Sequence, residues 1–203
     1  SAFNTLENAR DADAARATLG YEAFNFYGVS YGTYWAQRYL HVAPTQAAGV
    51  ILDSIVPMDG QFLSQFDLQP DKVAQPLAEL CKADPSCSAA LGPDPWAKLQ
   101  AIKAKFGTGH CAELGLTYAD RAKFTPLLQL WSLRAYALAA YARFDRCTPA
   151  DVTALRTMLS KLSVFAGGVA SPLLYFNVAF AELWETPPPS RATLQARADQ
   201  AVF

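Results

Sequence analysis

Apolar residues recur at helical spacing from Thr5 to Leu19, and Gly20 stops the run. Ala23-Phe24-Asn25-Phe26-Tyr27 then predicts a short buried strand, and Thr33 to Leu40 a helix that ends near Pro44. Gly49-Val50-Ile51-Leu52, ending at Asp53, predicts a second buried strand parallel to the first. From residue 58 to about 185 the strand pattern disappears. Helix-like segments fall at roughly 71–81, 95–106, 118–144, 149–165 and 170–185, separated by Gly92-Pro93, Gly107-Thr108-Gly109, Thr148-Pro149 and Gly167-Gly168. Pro187-Pro188-Pro189 breaks the chain again, and Arg191 to Phe203 begins one more helix. The expected organisation is a partial α/β core over 1–57, an all-helical insertion over 58–185, and a return towards the core over 186–203.

Between the first strand and the second helix lies Gly28-Val29-Ser30-Tyr31-Gly32, a G-x-S-x-G. The pattern arises by chance in roughly one chain in fifteen of this length, so the strand-turn-helix context is what gives it meaning. In a nucleophile elbow the serine occupies a strained turn, and the two glycines let strand and helix approach without Cβ clashes. Ser30 is therefore the candidate nucleophile. The start of the following helix aims N–H groups at the place where an oxyanion would form, which makes the Tyr31 N–H a candidate donor.

Composition narrows the field. The 203 residues are 52% hydrophobic with a net charge of −1. That is enough to bury a core, and it gives no electrostatic case for nucleic acid or an anionic membrane. No apolar run reaches the roughly 20 residues of a spanning helix, although Ala135 to Ala142 is alanine-rich. No cofactor is expected. Four cysteines suggest two disulfides: a Pro-containing turn can close Cys81 on Cys87, and Cys111 and Cys147 remain as the second pair. Such pairing points to an oxidising compartment, secreted or periplasmic. In the chain-entropy model the closures contribute about 2.4 and about 3.8 kcal/mol. A metal site is disfavoured, because there is no C-x-x-C pair and the histidine nearest the cysteines, His110, directly adjoins Cys111.

Asn8-Ala9-Arg10-Asp11, Arg16-Ala17-Thr18-Leu19-Gly20, Phe26-Tyr27-Gly28-Val29-Ser30-Tyr31-Gly32-Thr33, Tyr39-Leu40 with Pro44, and Val50-Ile51-Leu52-Asp53 together resemble the core of the secreted tripeptidyl and prolyl aminopeptidase family of α/β-hydrolases. The Ser-Tyr-Gly-Thr form of the elbow is distinctive. Cys81-Lys82-Ala83-Asp84-Pro85-Ser86-Cys87 is similar to the start of that family's helical cap, and Ala179-Phe180-Ala181-Glu182 to a segment near its end. The resemblance implies an α/β-hydrolase core fragment with a large helical cap. It also implies a serine exopeptidase acting on peptide N-termini, with Ser30 as nucleophile, Tyr31 N–H as one oxyanion donor, and acid and base supplied by the remainder of the hydrolase fold. Glu182, a carboxylate in an otherwise apolar segment, is the candidate reader of the substrate's α-ammonium.

The residues present offer poor alternatives for the triad. His41 lies about three turns along the helix from Ser30, and His110 in a glycine-rich loop. Asp53, at the end of the second strand, is a candidate acid. Two other functions stay open. One is an esterase or lipase whose acyl pocket uses Phe62, Phe66, Trp131, Tyr136, Phe144 and Phe176. The other is a non-catalytic helical interaction domain that retains a relic elbow.

Overall fold

The computed structural model describes residues 3–60, 62–162 and 171–203. The fold is a mostly helical α/β mixture with a two-stranded parallel sheet. Among the described residues, 3–64 fold with 171–189 and 65–162 fold with 190–203. The helix near 180 therefore joins the strands, and the segment expected to return to the core after residue 186 belongs largely to the helical unit.

In the first unit the elements are α1 (Thr5–Thr18), β1 (Phe24–Val29), α2 (Tyr31–Val42), β2 (Ala47–Asp53) and α9 (Pro172–Glu182). The strands run parallel, from Phe24 beside Ala47 to Val29 beside Asp53. Helix α2 packs on both strands and α1 packs on α2. The small core of this unit is aromatic: Phe26 meets the buried Tyr39 at 4.5 Å and Trp35 at 5.5 Å, and Ala9 lets α1 approach. The expectation of two fully buried strands does not hold. Burial alternates along β1, and Tyr27, Val29 and Ile51 are exposed. Among the described residues, one face of the sheet is packed by helices and the other is bare, so only alternate side chains leave water.

The helical unit contains α3 (Gln69–Ala83), α4 (Pro85–Leu91), α5 (Pro95–Lys103), α6 (Thr125–Gln129), α7 (Arg134–Arg146), α8 (Pro149–Leu162) and α10 (Arg191–Gln200). The single helix expected over 118–144 is instead broken. Residues 118–124 and 131–133 are tighter 3₁₀ turns, and Leu130 is extended at φ −95°, ψ 111°. Both disulfides form as paired from the sequence, with Cα separations of 5.1 Å for Cys81–Cys87 and 5.5 Å for Cys111–Cys147. Asp84 is extended and its side chain accepts from Cys87 N–H, which turns the chain between α3 and α4 and brings the two cysteines together. The core centres on Phe106, Phe124, Tyr141 and Phe144, with Phe106 stacked on Phe144 at 4.2 Å.

Helix α10 buries none of its own residues, yet the segment after it is fully enclosed. Asp71 accepts from the N–H groups of Val202 and Phe203 at 2.8 and 3.2 Å, Tyr141 donates to the Val202 carbonyl at 2.5 Å, and Arg121 donates to the carbonyls of Ala198 and Ala201. Burial raises the Asp71 carboxyl, opposed by those two N–H groups and by Lys103 and Arg121. Three polar side chains thus satisfy the backbone of an apolar tripeptide that would otherwise be orphaned inside the core.

Candidate active site

Ser30 stands between β1 and α2 at φ 53°, ψ −122°. A non-glycine residue held there costs on the order of 1–3 kcal/mol and persists only where its surroundings over-determine it. Those surroundings are visible. The Ser30 N–H donates to the Asp53 carbonyl at 3.0 Å, extending the parallel ladder one residue beyond its end. The Ser30 carbonyl accepts from Thr33 twice, from the backbone N–H at 2.9 Å and from Oγ1 at 2.6 Å. The serine is exposed, beyond the carboxyl ends of both strands, where ligands meet open α/β sheets.

The flanking glycines are not equivalent. A Cβ on Gly28 would lie 2.5 Å from the Gly32 carbonyl oxygen and 2.9 Å from the Thr33 nitrogen, so strand and helix meet there by bare backbone. A Cβ on Gly32 would meet nothing within 4 Å.

Tyr31 opens α2, and its N–H is among those that a helix leaves without an internal partner. Its hydroxyl shares a 2.6 Å hydrogen bond with Oγ1 of the buried Thr5, and its ring stacks on Tyr34. Thr5 also donates its backbone N–H to Glu182 Oε1 at 2.8 Å, and Tyr34 donates to Glu182 Oε2 at 3.2 Å. Arg38 donates to the Tyr34 hydroxyl at 2.6 Å. Glu182 therefore complements the positive end of α1 from α9 and is joined through Thr5 to the residue after the serine. Burial raises both phenols, Tyr31 and Tyr34, above the ordinary tyrosine range, with Glu182 adding to the shift in each. Both remain protonated donors at neutral pH.

Of the other sequence candidates, His110 and Asp53 have partners of their own. His41 is exposed in the last turn of α2, about 16 Å along the helix from Ser30 at 1.5 Å per residue. His110 belongs to the helical unit, where its Nε2 bonds the Phe144 carbonyl at 2.8 Å. The Asp53 side chain accepts from Tyr27 at 3.0 Å and from Ser54 at 3.1 Å. Of the six aromatics considered for an acyl pocket, Phe144 is buried in the helical core, Phe66, Trp131, Tyr136 and Phe176 are exposed, and Phe62 is partly buried. Cys111, Glu113 and Cys147 come within ligand distance of one another, but the two sulfurs are bonded together, which leaves no thiolate for a metal.

Sequence reasoning missed Thr33, Thr5, Tyr34 and Arg38. Thr33 had a signal in the Ser-Tyr-Gly-Thr motif. Arg38 stands four residues after Tyr34 on α2, a spacing the sequence displays, whereas Thr5 and Tyr34 reach Glu182 across separations that no local pattern reports.

No family model matches the chain. Over 70 residues, 34% of this chain, it is 38% identical to a tripeptidyl aminopeptidase of Streptomyces lividans, and equally so to one of Streptomyces coelicolor. The matched stretch spans 13% of the length of each relative. The relationship is distant and points to a peptidase-related function. The two disulfides agree with an oxidising compartment. Among the described residues, no helix is long and apolar enough to cross a membrane.

Proposed function

We propose that this chain carries the nucleophile of a secreted or periplasmic serine aminopeptidase of the α/β-hydrolase type. The observation that carries the reading is the strained backbone of Ser30 at a strand-to-helix turn crowded against Gly28. In the proposed reaction Ser30 Oγ attacks the carbonyl carbon of the scissile amide while its proton passes to a general base. The carbonyl electron pair moves to oxygen, and the Tyr31 N–H stabilises that oxyanion. Collapse of the intermediate breaks the C–N bond, the base returns the proton to the departing amine, and water then hydrolyses the acyl-enzyme. His41 lies far along α2 from Ser30 and His110 is engaged with the Phe144 carbonyl, so the base and its orienting acid are assigned to parts of the hydrolase fold other than these residues. The bare face of the sheet agrees with that assignment.

Glu182 is the proposed partner of the substrate's α-ammonium. It is joined to Tyr31 through Thr5, and a carboxylate has lone-pair sites beyond the two bonds described. The experiment uses the full-length protein. A fluorophosphonate is expected to label Ser30, and Ser30→Ala to abolish labelling and to lower turnover of a tripeptidyl amide by about 10⁴-fold or more. Labelling at another serine, or turnover that survives the substitution, would refute the nucleophile. In the same enzyme Glu182→Gln is expected to raise KM for free-amine peptides far more than for N-acetylated peptides or esters. Preference for a short-chain ester over the tripeptidyl amide would favour the esterase reading, and an inert Ser30 a non-catalytic domain.

A further inference from the structure

We infer that Thr33 is a positioning residue that aims the oxyanion donor; this rests on the reading of Ser30 as nucleophile. The Ser30 carbonyl and the Tyr31 N–H belong to one planar trans peptide unit and point in opposite directions. Whatever holds the carbonyl therefore sets the direction of the N–H. Thr33 is fully buried, and its hydroxyl has a single proton. The Val56 N–H donates to Thr33 Oγ1 at 2.8 Å and occupies an acceptor site, so the hydroxyl proton is committed to the Ser30 carbonyl 2.6 Å away. Thr33 N–H approaches the same carbonyl at 2.9 Å. A second layer supports the brace: Gln37 Nε2 donates both to the Thr33 carbonyl at 3.0 Å and to the Val56 carbonyl at 2.9 Å.

The brace runs from the segment after β2, through one hydroxyl, to the strained residue. Removing the hydroxyl leaves the carbonyl to the Thr33 N–H alone, which loosens the hold on φ 53°, ψ −122° and on the direction of the Tyr31 N–H. Such a change leaves substrate contacts in place and weakens a bond made only when the carbonyl oxygen becomes tetrahedral and charged. It should appear in kcat and not in KM.

The test compares Thr33→Val, Thr33→Ser and Ser30→Ala in the full-length enzyme. Loss of a whole oxyanion donor lowers kcat by about 10²–10³-fold, so a misdirected one in Thr33→Val is expected to lower it by roughly 10–100-fold. KM should stay within about twofold. Affinity for a peptide aldehyde, which forms the same tetrahedral oxyanion on the serine, should fall in parallel with kcat, and Thr33→Ser should restore both. Thr33→Cys, with a similar side-chain volume and a far weaker donor, supplies the same contrast if the valine variant does not fold. An unchanged kcat in Thr33→Val or Thr33→Cys, or a loss confined to KM, would overturn the inference while the Ser30 assignment stands. Turnover that survives Ser30→Ala would overturn both.

Discussion

A single Cβ separates the two glycines of the elbow. At Gly28 it would collide with the backbone of Gly32 and Thr33, and at Gly32 it would project into open space. Gly28→Ala is thus expected to cost about 1–3 kcal/mol or more, since the obstacle is backbone and cannot rotate away, and to abolish labelling of Ser30. Gly32→Ala, in the first turn of α2, is expected to be neutral or to stabilise by up to about 1 kcal/mol. Urea denaturation and fluorophosphonate labelling of the two variants check the contrast, and equal losses in both would contradict it. The serine, its turn and the helix after it were legible because their signals are adjacent in sequence. The distinction between the glycines was not legible, because a motif records spacing and not which backbone lies closer. Nor was the role of Thr33, whose second partner Val56 lies 23 residues away.

Helix starts were readable where a side chain caps its own neighbourhood. Thr148-Pro149-Ala150-Asp151 places a threonine three residues before an aspartate, and in the fold Asp151 N–H donates to Thr148 Oγ1 while Asp151 accepts from Thr148 N–H. Arg143 and Arg146 at the end of α7 then pair with Asp151 at 3.0 and 2.7 Å. Burial alone would raise this carboxyl, but Arg146 and Thr148 outweigh it and hold it at about 2. A carboxyl lower in the folded than in the unfolded chain stabilises above its ordinary value of 3.8, and that contribution fades as pH falls from about 4 towards 2. Asp151→Asn is expected to lower stability at pH 7 by about 1–3 kcal/mol and to flatten, without abolishing, the acid limb of a urea-midpoint titration. Asp13, Asp120 and Asp145 keep part of that limb, since arginine or lysine partners also hold them low. A limb as steep as wild type would exclude Asp151 as a source. The strands show the opposite case. Phe24 to Val29 is apolar enough to read as buried throughout, yet the neighbours of a sheet, not its composition, determine whether its second face is covered.

On the scale of the molecule, that second face matters most. Tyr27, Val29 and Ile51 are 66%, 49% and 64% exposed, an apolar surface on a two-stranded sheet with both edges open among the described residues. The 203-residue chain alone is expected to self-associate with rising concentration in light scattering, and Val29→Thr with Ile51→Thr to suppress it. A monodisperse monomer without those changes would show the face to be harmless. The strand-bearing part runs to Ser64 and takes in α9, and the helical part begins at Gln65. What escaped the sequence is that the two parts exchange their last segments. Glu182 anchors the start of α1 across 177 residues, and Asp71 holds Val202 across 131. For a chain emerging from the ribosome, this means that neither part can close on what has already been made. The serine's scaffold waits for α9 and the helical core for the tripeptide after α10, so neither closes before those distant residues have left the ribosome.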